Sequence, residues 1–360
     1  MEFPVFFPDA TKGVIRSLDS ADVKNAGVTG LIVNTYHLAT QPGASVIKHA
    51  GGIKQFMNWD GWIISDSGGF QLLSMIYANT SAGSITDNGV VFRRNTKQGV
   101  DQYKFSPEKS IQVQFAISSD IMVCLDDCPP AHAEPEQVEK SVARTILWAK
   151  RCKEEFARQL TIRKVDNEHR PLLFGVIQGG NNKKLREHCA HELQQIGFDG
   201  YGFGGWPMTE EGGINHDMLA YTASLMPDSL PKYALGVGNP QAIVDCCRMG
   251  YTIFDCVLPT RDARHQRLYV FSRDPEKTGL FDTGNVYEYV HIMQEKYTRD
   301  KTPVSPYCDC FTCSHYSKAY LHHLFVIEDS LAGRLATIHN LRMYTMLIEK
   351  LRTYVRSTDH

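Results

Sequence analysis

Eight short apolar runs recur along the 360-residue chain, and each one ends in glycine or polar residues. Helix-like stretches, such as Glu134–Leu160 and Lys183–Ile196, lie between them. Alternating strand and helix patterns predict parallel pairing, and runs that are apolar on both faces predict strands buried on both sides. The pattern therefore predicts an α/β chain folded as a (β/α)8 TIM barrel, with a doubly wound open sheet as the alternative. The predicted strands are Pro4–Pro8, Gly30–Tyr36, Trp62–Gly69, Ile121–Asp127, Leu172–Gly180, Gly200–Gly205, Tyr233–Gly238 and Tyr251–Leu258.

Polar side chains and paired glycines occupy the carboxyl ends of these predicted strands. In a barrel of this kind the chemistry lies at those ends, so we expect these residues to surround one mouth. Asp66 and Asp255, facing one cavity, could serve as general acid/base and nucleophile, as paired carboxylates do in retaining glycosyl transfer. Asp126 could hold the N–H edge of a purine, while Gln178 and backbone groups at Gly205 complete the hydrogen bonds. The alternative for Asp255 is an ordinary strand-end carboxylate that caps the following loop.

A cysteine cluster with the pattern C-x-C-x-x-C lies near the end of the chain. It consists of Cys308, Cys310 and Cys313, and His339 follows 26 residues after the last thiol. Three thiols and one imidazole are the ligand set of a closed structural Zn²⁺ site. The other seven cysteines are scattered, which favours a metal site over three loop thiols and an unrelated helix histidine. We therefore expect one structural zinc ion in a loop-like segment, which locates a module without naming a reaction.

Two insertions interrupt the alternation of strands and helices. Residues 71–105 follow the third strand, and their alternating segment Gly89–Arg93 predicts a small hairpin near the mouth. Residues 287–340 follow the last strand and hold the cysteine cluster, and His339–Arg356 has a helical pattern. The predicted organisation is a barrel over 1–286, an inserted zinc-binding subdomain over 287–340 and a closing C-terminal helix over 341–360.

Composition and charge limit the class of protein. The net charge of −2 argues against a general nucleic-acid-coating protein but leaves room for a local basic groove. Arg261 and Arg264 follow the last strand and could read phosphates and base edges, with a solvated loop as the alternative. Trp206, which follows two glycines, is expected in the core.

The chain has no signal-peptide pattern and no long apolar run, and its ten irregularly spaced cysteines fit reduced thiols. We therefore expect a cytoplasmic protein that does not span a membrane.

Five segments of the chain together resemble one enzyme family, the tRNA-guanine transglycosylases. The likeness runs in order from about residue 4 to residue 345, nearly the whole chain, and it rests on all five segments rather than on one of them. The segments are Asn34–Leu38, Ser65–Gln71, Gly175–Gly180, Phe254–Arg261 and the cysteine cluster.

The resemblance implies a pentosyltransferase that removes guanine at the wobble position of a tRNA anticodon and inserts a 7-deazaguanine precursor of queuosine. It implies that Asp255 attacks the ribose C1′ to form a covalent intermediate and that Asp66 is the general acid/base. By the same likeness Phe70 stacks on the base, and Arg261 and Arg264 read flanking bases. The structural zinc, the partners tRNA and a 7-deazaguanine base, and a homodimer are further implications. The residues that would bind the base are Asp126, Gln178, Gly205, Leu235 and Gly236.

One loop departs from the family pattern, because it reads Trp206-Pro207-Met208 where bacterial relatives usually read Leu-Ala-Val. Proline has no N–H to donate, but the Trp206 carbonyl can accept a hydrogen bond from a cationic aminomethyl group. We therefore expect the aminomethyl base preQ1 to be preferred over the nitrile preQ0, and the bulk of Met208 to disfavour queuine. The alternatives are a queuine-salvaging tRNA enzyme, a 7-deazaguanine transglycosylase acting on DNA, a non-catalytic partner subunit and a generic barrel glycosidase. The presence of both predicted catalytic carboxylates argues against the subunit, and the zinc cluster with the arginine loop argues against the glycosidase.

Overall fold

The computed structural model describes residues 1–96, 99–209, 212–277, 279 and 284–358. Within these ranges, no helix combines the length and the apolar character that crossing a membrane requires. The strands are β1 (Val5–Pro8), β2 (Gly30–Val33), β3 (Trp62–Ser65), β4 (Gly83–Thr86), β5 (Gly89–Thr96), β6 (Gly99–Phe105), β7 (Ile121–Val123), β8 (Leu172–Ile177), β9 (Gly200–Phe203), β10 (Lys232–Ala234), β11 (Ile253–Cys256), β12 (Arg267–Phe271) and β13 (Tyr287–His291). The α-helices are α1 (Ser20–Asn25), α2 (Thr35–Thr40), α3 (Ala44–His49), α4 (Ile53–Met57), α5 (Gly69–Ala78), α6 (Pro107–Ile117), α7 (Pro135–Arg163), α8 (Lys183–Ile196), α9 (His216–Leu225), α10 (Pro240–Arg248), α11 (Leu258–Arg264), α12 (Phe311–His315), α13 (Lys318–Val326) and α14 (Ser330–Thr358).

Eight of these strands form one sheet, in the order β1, β11, β10, β9, β8, β7, β3 and β2. Neighbours run parallel; Val5 of β1 is in register with Ile253 of β11, and Phe174 of β8 with Gly200 of β9. Helices follow the strands, as a parallel arrangement requires. The prediction of a (β/α)8 barrel of the TIM type is therefore confirmed, and the doubly wound open sheet is not adopted.

The strands are shorter than the predicted runs, because their polar carboxyl ends leave the sheet to begin helices. β2 ends at Val33, and the Asn34 side chain then caps α2 by accepting a hydrogen bond from the His37 amide at 2.9 Å. β3 ends at Ser65, and Gly68 in the left-handed region (φ 76°) leads into α5. The Asn34 side chain thus satisfies one of the first amides of α2 just where candidate functional side chains lie.

The chain divides into two compact units. The first comprises Met1–Ala10, Val14–Leu31 and Gly236–His360, and the second comprises Thr11–Gly13 and Ile32–Leu235. The second unit contains strands β3 to β10 with the predicted base-binding carboxylate and amide. The first contains β11, which carries the predicted nucleophile, together with the cysteine cluster.

The insertion after β3, in the second unit, is a three-stranded antiparallel sheet of β4, β5 and β6 rather than the predicted two-stranded hairpin. The additional strand, Gly83–Thr86, is short and half polar, so its own sequence carries little β signal, and pairing with β5 makes it a strand. Helix α7 holds the turn that follows this strand. Trp148 Nε1 and Arg151 donate hydrogen bonds to the Asp87 carbonyl at 2.9 and 2.6 Å.

The long helix α14, in the first unit, begins at Ser330, earlier than the predicted start at His339. Two features of the chain explain the difference. The Asp329 side chain accepts a hydrogen bond from the Leu331 amide at 2.8 Å, and the apolar face of residues 330–338 is buried in a core with β12, β13 and α13. His339 therefore lies in the interior of α14, with helical residues before and after it.

Candidate active site and metal centre

The carboxylate of Asp66 follows β3, and three donors hold it. The Asn34 side-chain amide donates to its Oδ2 at 2.6 Å, and the backbone amides of Thr35 and Gly68 donate to its Oδ1 at 3.0 and 2.9 Å. Sequence analysis identified Asp66 but not the role of Asn34, although both lie in segments that carry the family resemblance. The half-buried carboxylate is thus fixed in orientation, as a positioned acid or base must be.

Phe70 and Trp206 form an exposed aromatic pair. Phe70 is the second residue of α5, and each side chain is 44% exposed. The two rings meet edge-on, with centroids 5.7 Å apart. The expectation that Trp206 belongs to the core is wrong, because its Nε1–H donates to the Pro129 carbonyl at 3.1 Å and keeps the indole at the surface. Exposed aromatic faces of this kind are suited to stacking on a flat ligand.

Asp126 and Gln178 form a polar pair beyond the carboxyl ends of β7 and β8. Gln178 Nε2 donates to Asp126 Oδ2 at 2.6 Å. Burial raises the pKa of Asp126 to about 6, with the Gln178 hydrogen bond lowering it and the adjacent Asp127 raising it. The Gln178 side chain is 1% exposed, and within the described residues its Oε1 has no hydrogen-bond partner. A buried acceptor without a partner is costly, so the pair is suited to a ligand that supplies N–H donors.

Two glycines after β9 let the backbone approach this polar pair. A Cβ on Gly204 would lie 2.6 Å from Gln178 Nε2, a separation that side chains do not tolerate. Gly205 has φ 97°, which L side chains rarely adopt. Both positions therefore require glycine, and the backbone at Gly205 lies near the Gln178 amide.

Arg186 organises the loops after β8 and β9, and sequence analysis did not identify it. Its side chain is 1% exposed and donates to the carbonyls of Gly180, Ile177 and Gly204 at 2.8, 3.1 and 3.1 Å. Its guanidinium also lies 4.1 Å from the centroid of the Phe203 ring. An arginine in the first turn of an amphipathic helix carries no sequence signal that distinguishes a buried role from a solvated one.

Asp255 lies on β11, and the backbone of Gly236 holds it. The Gly236 amide donates to Asp255 Oδ1 at 2.8 Å, and Gly236 has φ 73°. Because this N–H is bonded to the carboxylate, the predicted contact between Gly236 and a base is left to its carbonyl. Leu235, also predicted to bind the base, is half-buried. Its side chain packs against Gly202, where a Cβ would lie only 2.3 Å from Leu235 Cδ1, so glycine at position 202 leaves room for this leucine.

The arginines in and after α11 have different environments. Arg261 has a 48% exposed side chain, and its Nε lies 3.8 Å from Asp262. Arg264 donates to the Thr260 carbonyl at 2.8 Å, and burial lowers its pKa. Arg267 donates at 2.6 Å to the fully buried Asp262 and so has a structural partner. Of these cations, Arg261 is the one most available to a large anionic ligand.

The predicted cysteine cluster is assembled in the structure. The ligand atoms of Cys308, Cys310, Cys313 and His339 lie within 4.8 Å of one another. His339 Nδ1 is 3.7 Å from the Cys310 sulfur and 3.2 Å from the Cys313 sulfur. Ordinary Zn–S and Zn–N bonds in a tetrahedron would separate such atoms by about 3.6 Å. Hydrogen bonds from Cys308 and Cys313 lower the pKa of Cys310, and the four groups fit one tetrahedral metal ion.

Neighbouring groups orient this cluster, and sequence analysis did not identify them. His339 Nε2 lies 2.8 Å from the Tyr269 carbonyl, which assigns the proton to Nε2 and leaves Nδ1 as the ligand atom. The Thr312 hydroxyl donates to the Leu335 carbonyl at 2.6 Å and so joins α12 to α14. The flanking segment Phe311–His315 is a short helix rather than the predicted loop.

Comparisons with known proteins identify one family. A sequence model of the family described as "Queuine tRNA-ribosyltransferase" matches residues 1–359. Relatives of that name from Staphylococcus aureus (strain bovine RF122 / ET3-1) and Staphylococcus epidermidis (strain ATCC 12228 / FDA PCI 1200) are each 39% identical over 358 residues. Each alignment covers 99% of this chain and 86% of the relative. The chain therefore belongs to the queuine tRNA-ribosyltransferase family.

Proposed function

We propose that the protein is a tRNA-guanine transglycosylase, a pentosyltransferase of queuosine biosynthesis. It exchanges guanine at the wobble position of a tRNA anticodon for a 7-deazaguanine. Family membership supports the reaction class. The structural observation that carries the proposal is the Asp126–Gln178 pair, a half-buried carboxylate and a buried amide with an unpartnered acceptor among the described residues.

The pair supplies a hydrogen-bond pattern that matches the edge of a guanine-type base. The Asp126 carboxylate accepts from the ring N–H and the exocyclic amine, and Gln178 with the backbone at Gly205 completes the set. Phe70 stacks on one face of the ring, with the half-buried Leu235 as an apolar contact. The carbonyl of Gly236 is a further acceptor for the base.

Base exchange proceeds through two displacements at the ribose C1′. An Asp255 oxygen attacks C1′, the glycosidic C–N bond breaks, and its electron pair leaves with guanine, which takes a proton from the general acid Asp66. The incoming base then loses a proton to Asp66, its nitrogen attacks C1′, and the ester bond to Asp255 breaks. Two inversions retain the sugar configuration. The Gly236 amide fixes the attacking carboxylate, and Asn34, Thr35 and Gly68 fix Asp66.

Recognition of the nucleic acid falls to the arginines of α11. Arg261 and Arg264 contact bases or phosphates beside the target, which must leave its stack to reach a buried pair of groups. The exposure of Arg261 supports this role more strongly than the partly buried setting of Arg264. An enzyme acting on DNA would use the same chemistry. Its substrate lacks the 2′-hydroxyl of RNA, so binding measurements with matched RNA and DNA distinguish the two substrates.

The incoming base is preQ1 in this proposal. Pro207 has no N–H, and its carbonyl accepts a hydrogen bond from the Asn215 amide at 2.9 Å. The carbonyl of Trp206 remains the acceptor for a cationic aminomethyl group, which the nitrile of preQ0 cannot replace.

One observation favours queuine as the second candidate base. Trp206 and Met208 line a cavity of about 240 Å³ together with Gln178 and Gly205, and Met208 is 47% exposed. Methionine is flexible, so its bulk does not close this space to a cyclopentenediol. Competition among preQ1, preQ0 and queuine for incorporation separates the two candidates. Equal or better use of queuine would exclude the preQ1 preference, and better use of preQ0 would exclude the argument from Pro207.

The metal of the cysteine cluster is structural zinc. Three cysteines and a histidine prefer Zn²⁺ among the common divalent ions, and four protein ligands leave no position for substrate. When bound, the ion supplies folding energy to α12, α14 and the intervening segment, and no step of base exchange passes through it.

We also propose a cytoplasmic homodimer. None of the ten cysteines forms a disulfide, which fits a reducing compartment. After the cysteines along the chain, the rings of Tyr316 and Tyr320 stack at 5.3 Å, and three apolar side chains of residues 311–327 are at least 45% exposed, namely Phe311, Val326 and Ile327. An apolar surface of this kind is suited to a partner protomer. Light scattering at several concentrations measures the mass, and a monomer at every concentration would exclude the dimer.

Incorporation of labelled guanine into nucleic acid tests the function. The expected result is incorporation into tRNA that carries guanine at the wobble position, competition by preQ1, and no incorporation into the corresponding DNA hairpin. A tRNA with adenine at that position is the matched control substrate. Incorporation into DNA but not tRNA would overturn the choice of substrate, and none into either would overturn the reaction.

A further inference from the structure

A second carboxylate, Asp127, lies directly after Asp126, and its side chain is fully buried in a separate network. The Tyr77 hydroxyl donates to Asp127 Oδ1 at 2.7 Å, and Arg144 donates to Oδ2. The Asp127 amide donates to the Thr145 hydroxyl at 3.0 Å. Three groups on two helices therefore hold one residue of the loop that follows β7.

This network connects the elements that carry the proposed base-binding groups. Tyr77 lies in the last turn of α5, the helix that begins at Gly69 and carries Phe70. Arg144 lies on α7, and its Nε is 3.6 Å from the exposed Asp87 in the turn of the insertion. Asp127 is thus the point at which α5, α7 and the loop bearing Asp126 meet.

The network also places a negative charge beside Asp126. Among the described residues, the ionisable groups near Asp126 lie in the segment that follows β7 and on α8. Burial raises the pKa of Cys128 and of Cys189 to about 12, and it also raises that of Cys124, so these thiols stay neutral. Gln178 is neutral, and Arg186 is bonded to backbone carbonyls. Of the groups near Asp126, Asp127 is the carboxylate whose charge acts on it.

We propose that Asp127 is a positioning residue which, paired with Arg144 and Tyr77, fixes the loop of Asp126 and sets the pH range in which Asp126 binds a base. This inference rests on the proposed role of Asp126 in base binding. The Asp126 carboxylate accepts hydrogen bonds at both oxygens only when it is ionised, because protonation turns one oxygen into a donor. Binding of the N–H edge of guanine therefore weakens as the pH falls through the pKa of Asp126, which is about 6. The acidic limb is the part of the pH profile in which guanine binding weakens as the pH falls. Removal of the neighbouring negative charge favours the ionised form of Asp126 and moves this limb to lower pH.

The test is the inhibition constant of guanine, measured against pH from about 5 to 8, for the whole enzyme and its variants. In Asp127→Asn the acidic limb is expected to move down by roughly one pH unit, because one neighbouring charge is lost. Tyr77→Phe is the comparison variant, since it removes one hydrogen bond and keeps both Asp127 and its ion-pair partner Arg144. Its limb is expected to stay in place while guanine binding weakens up to about tenfold at every pH.

Asp127→Asn leaves the Arg144 cation unpaired and can fail to fold, so a second variant keeps the test open. Asp127→Asn with Arg144→Met removes both buried charges together, a change that proteins often tolerate. Its acidic limb is also expected to lie below that of the parent enzyme. A limb that stays in place in both variants, with binding weakened equally at every pH, would reduce Asp127 to a structural role. If guanine binding by the parent enzyme does not weaken near pH 6, the proposed role of Asp126 in base binding is wrong.

Discussion

The Asp126–Gln178 pair and the cysteine cluster are both partly or fully buried polar groups, but they differ in whether other atoms of the chain satisfy their hydrogen-bonding and ligand atoms. Asp126 and Gln178 make one mutual bond, and Gln178 Oε1 has no partner in the described part of the chain. In the cluster, three sulfurs and one imidazole nitrogen point at a common centre, and the Tyr269 carbonyl orients the imidazole. The first arrangement is open to a ligand that donates hydrogen bonds, and the second is complete once a metal ion is bound.

These two arrangements indicate how binding sites can be distinguished from structural sites in one fold. Polar groups that lack a hydrogen-bond partner in a rigid environment are suited to a transient ligand, since binding removes the free-energy cost of the missing hydrogen bond. Arg186 holds the environment of the Asp126–Gln178 pair rigid by donating hydrogen bonds to the loops after β8 and β9. Ligands that converge on one centre, with ordered neighbours, hold an ion permanently. Variants of the two sites should therefore fail in different ways.

The largest effect is expected at the closed site. Cys310→Ala removes one of four ligands from a metal site of a kind worth about 10–16 kcal/mol to folding. Metal content should fall well below about one ion per chain, α12 and the segment before α14 should unfold, and activity should be lost with them. Metal analysis and thermal unfolding measure the change.

Cys247→Ala is the control for this variant, because that half-buried thiol lies on α10, outside the cluster. It should retain the metal and most of the stability. A folded, fully active protein without metal would contradict the structural role of the cluster.

A smaller and more local effect is expected at the open site. Asp126→Asn replaces an acceptor of the base N–H edge and should weaken guanine binding roughly 10- to 150-fold, the value of hydrogen bonds to a charged group. Metal content and unfolding temperature should stay close to those of the parent. Asp166→Asn, at an exposed carboxylate between α7 and β8, is the control and should bind guanine normally. Unchanged guanine affinity in Asp126→Asn would remove this residue from the site.

The smallest of the three effects is expected at Arg261. Arg261→Ala should weaken tRNA binding by about 1–3 kcal/mol if the side chain contacts a base edge, while the inhibition constant of guanine stays the same. Arg267→Ala serves as the comparison, since Arg267 is bonded to the buried Asp262. That variant should lose thermal stability rather than tRNA affinity. A large loss of guanine affinity in Arg261→Ala would move Arg261 to the base pocket.

The sequence predicted those features that local pattern determines. Strand and helix alternation predicted the barrel, and the spacing of Cys308, Cys310 and Cys313 with a distant His339 predicted the assembled cluster. The carboxylates and the amide were also predicted at the carboxyl ends of strands, because a parallel sheet brings those ends to one edge.

Features that depend on distant partners could not be predicted. Arg186 and Arg144 look like any arginine on an amphipathic helix, and only the loops folded against them reveal buried roles. A tryptophan after two glycines is expected in the core, but a hydrogen bond to the Pro129 carbonyl holds Trp206 at the surface. Strand β4 and the early start of α14 arise from pairing and packing with segments far along the chain.

In the proposed reaction, Asp255 bonds to the ribose of tRNA during base exchange. The direct test is to mix enzyme and tRNA, denature the sample, and map the RNA-linked peptide by mass spectrometry. The parent enzyme should yield a denaturant-resistant adduct on the peptide that contains Asp255. Asp255→Asn should yield none and lose exchange on the order of 10⁴-fold, because an amide is a poor nucleophile. An adduct at another carboxylate, or near-normal exchange by Asp255→Asn, would contradict the account.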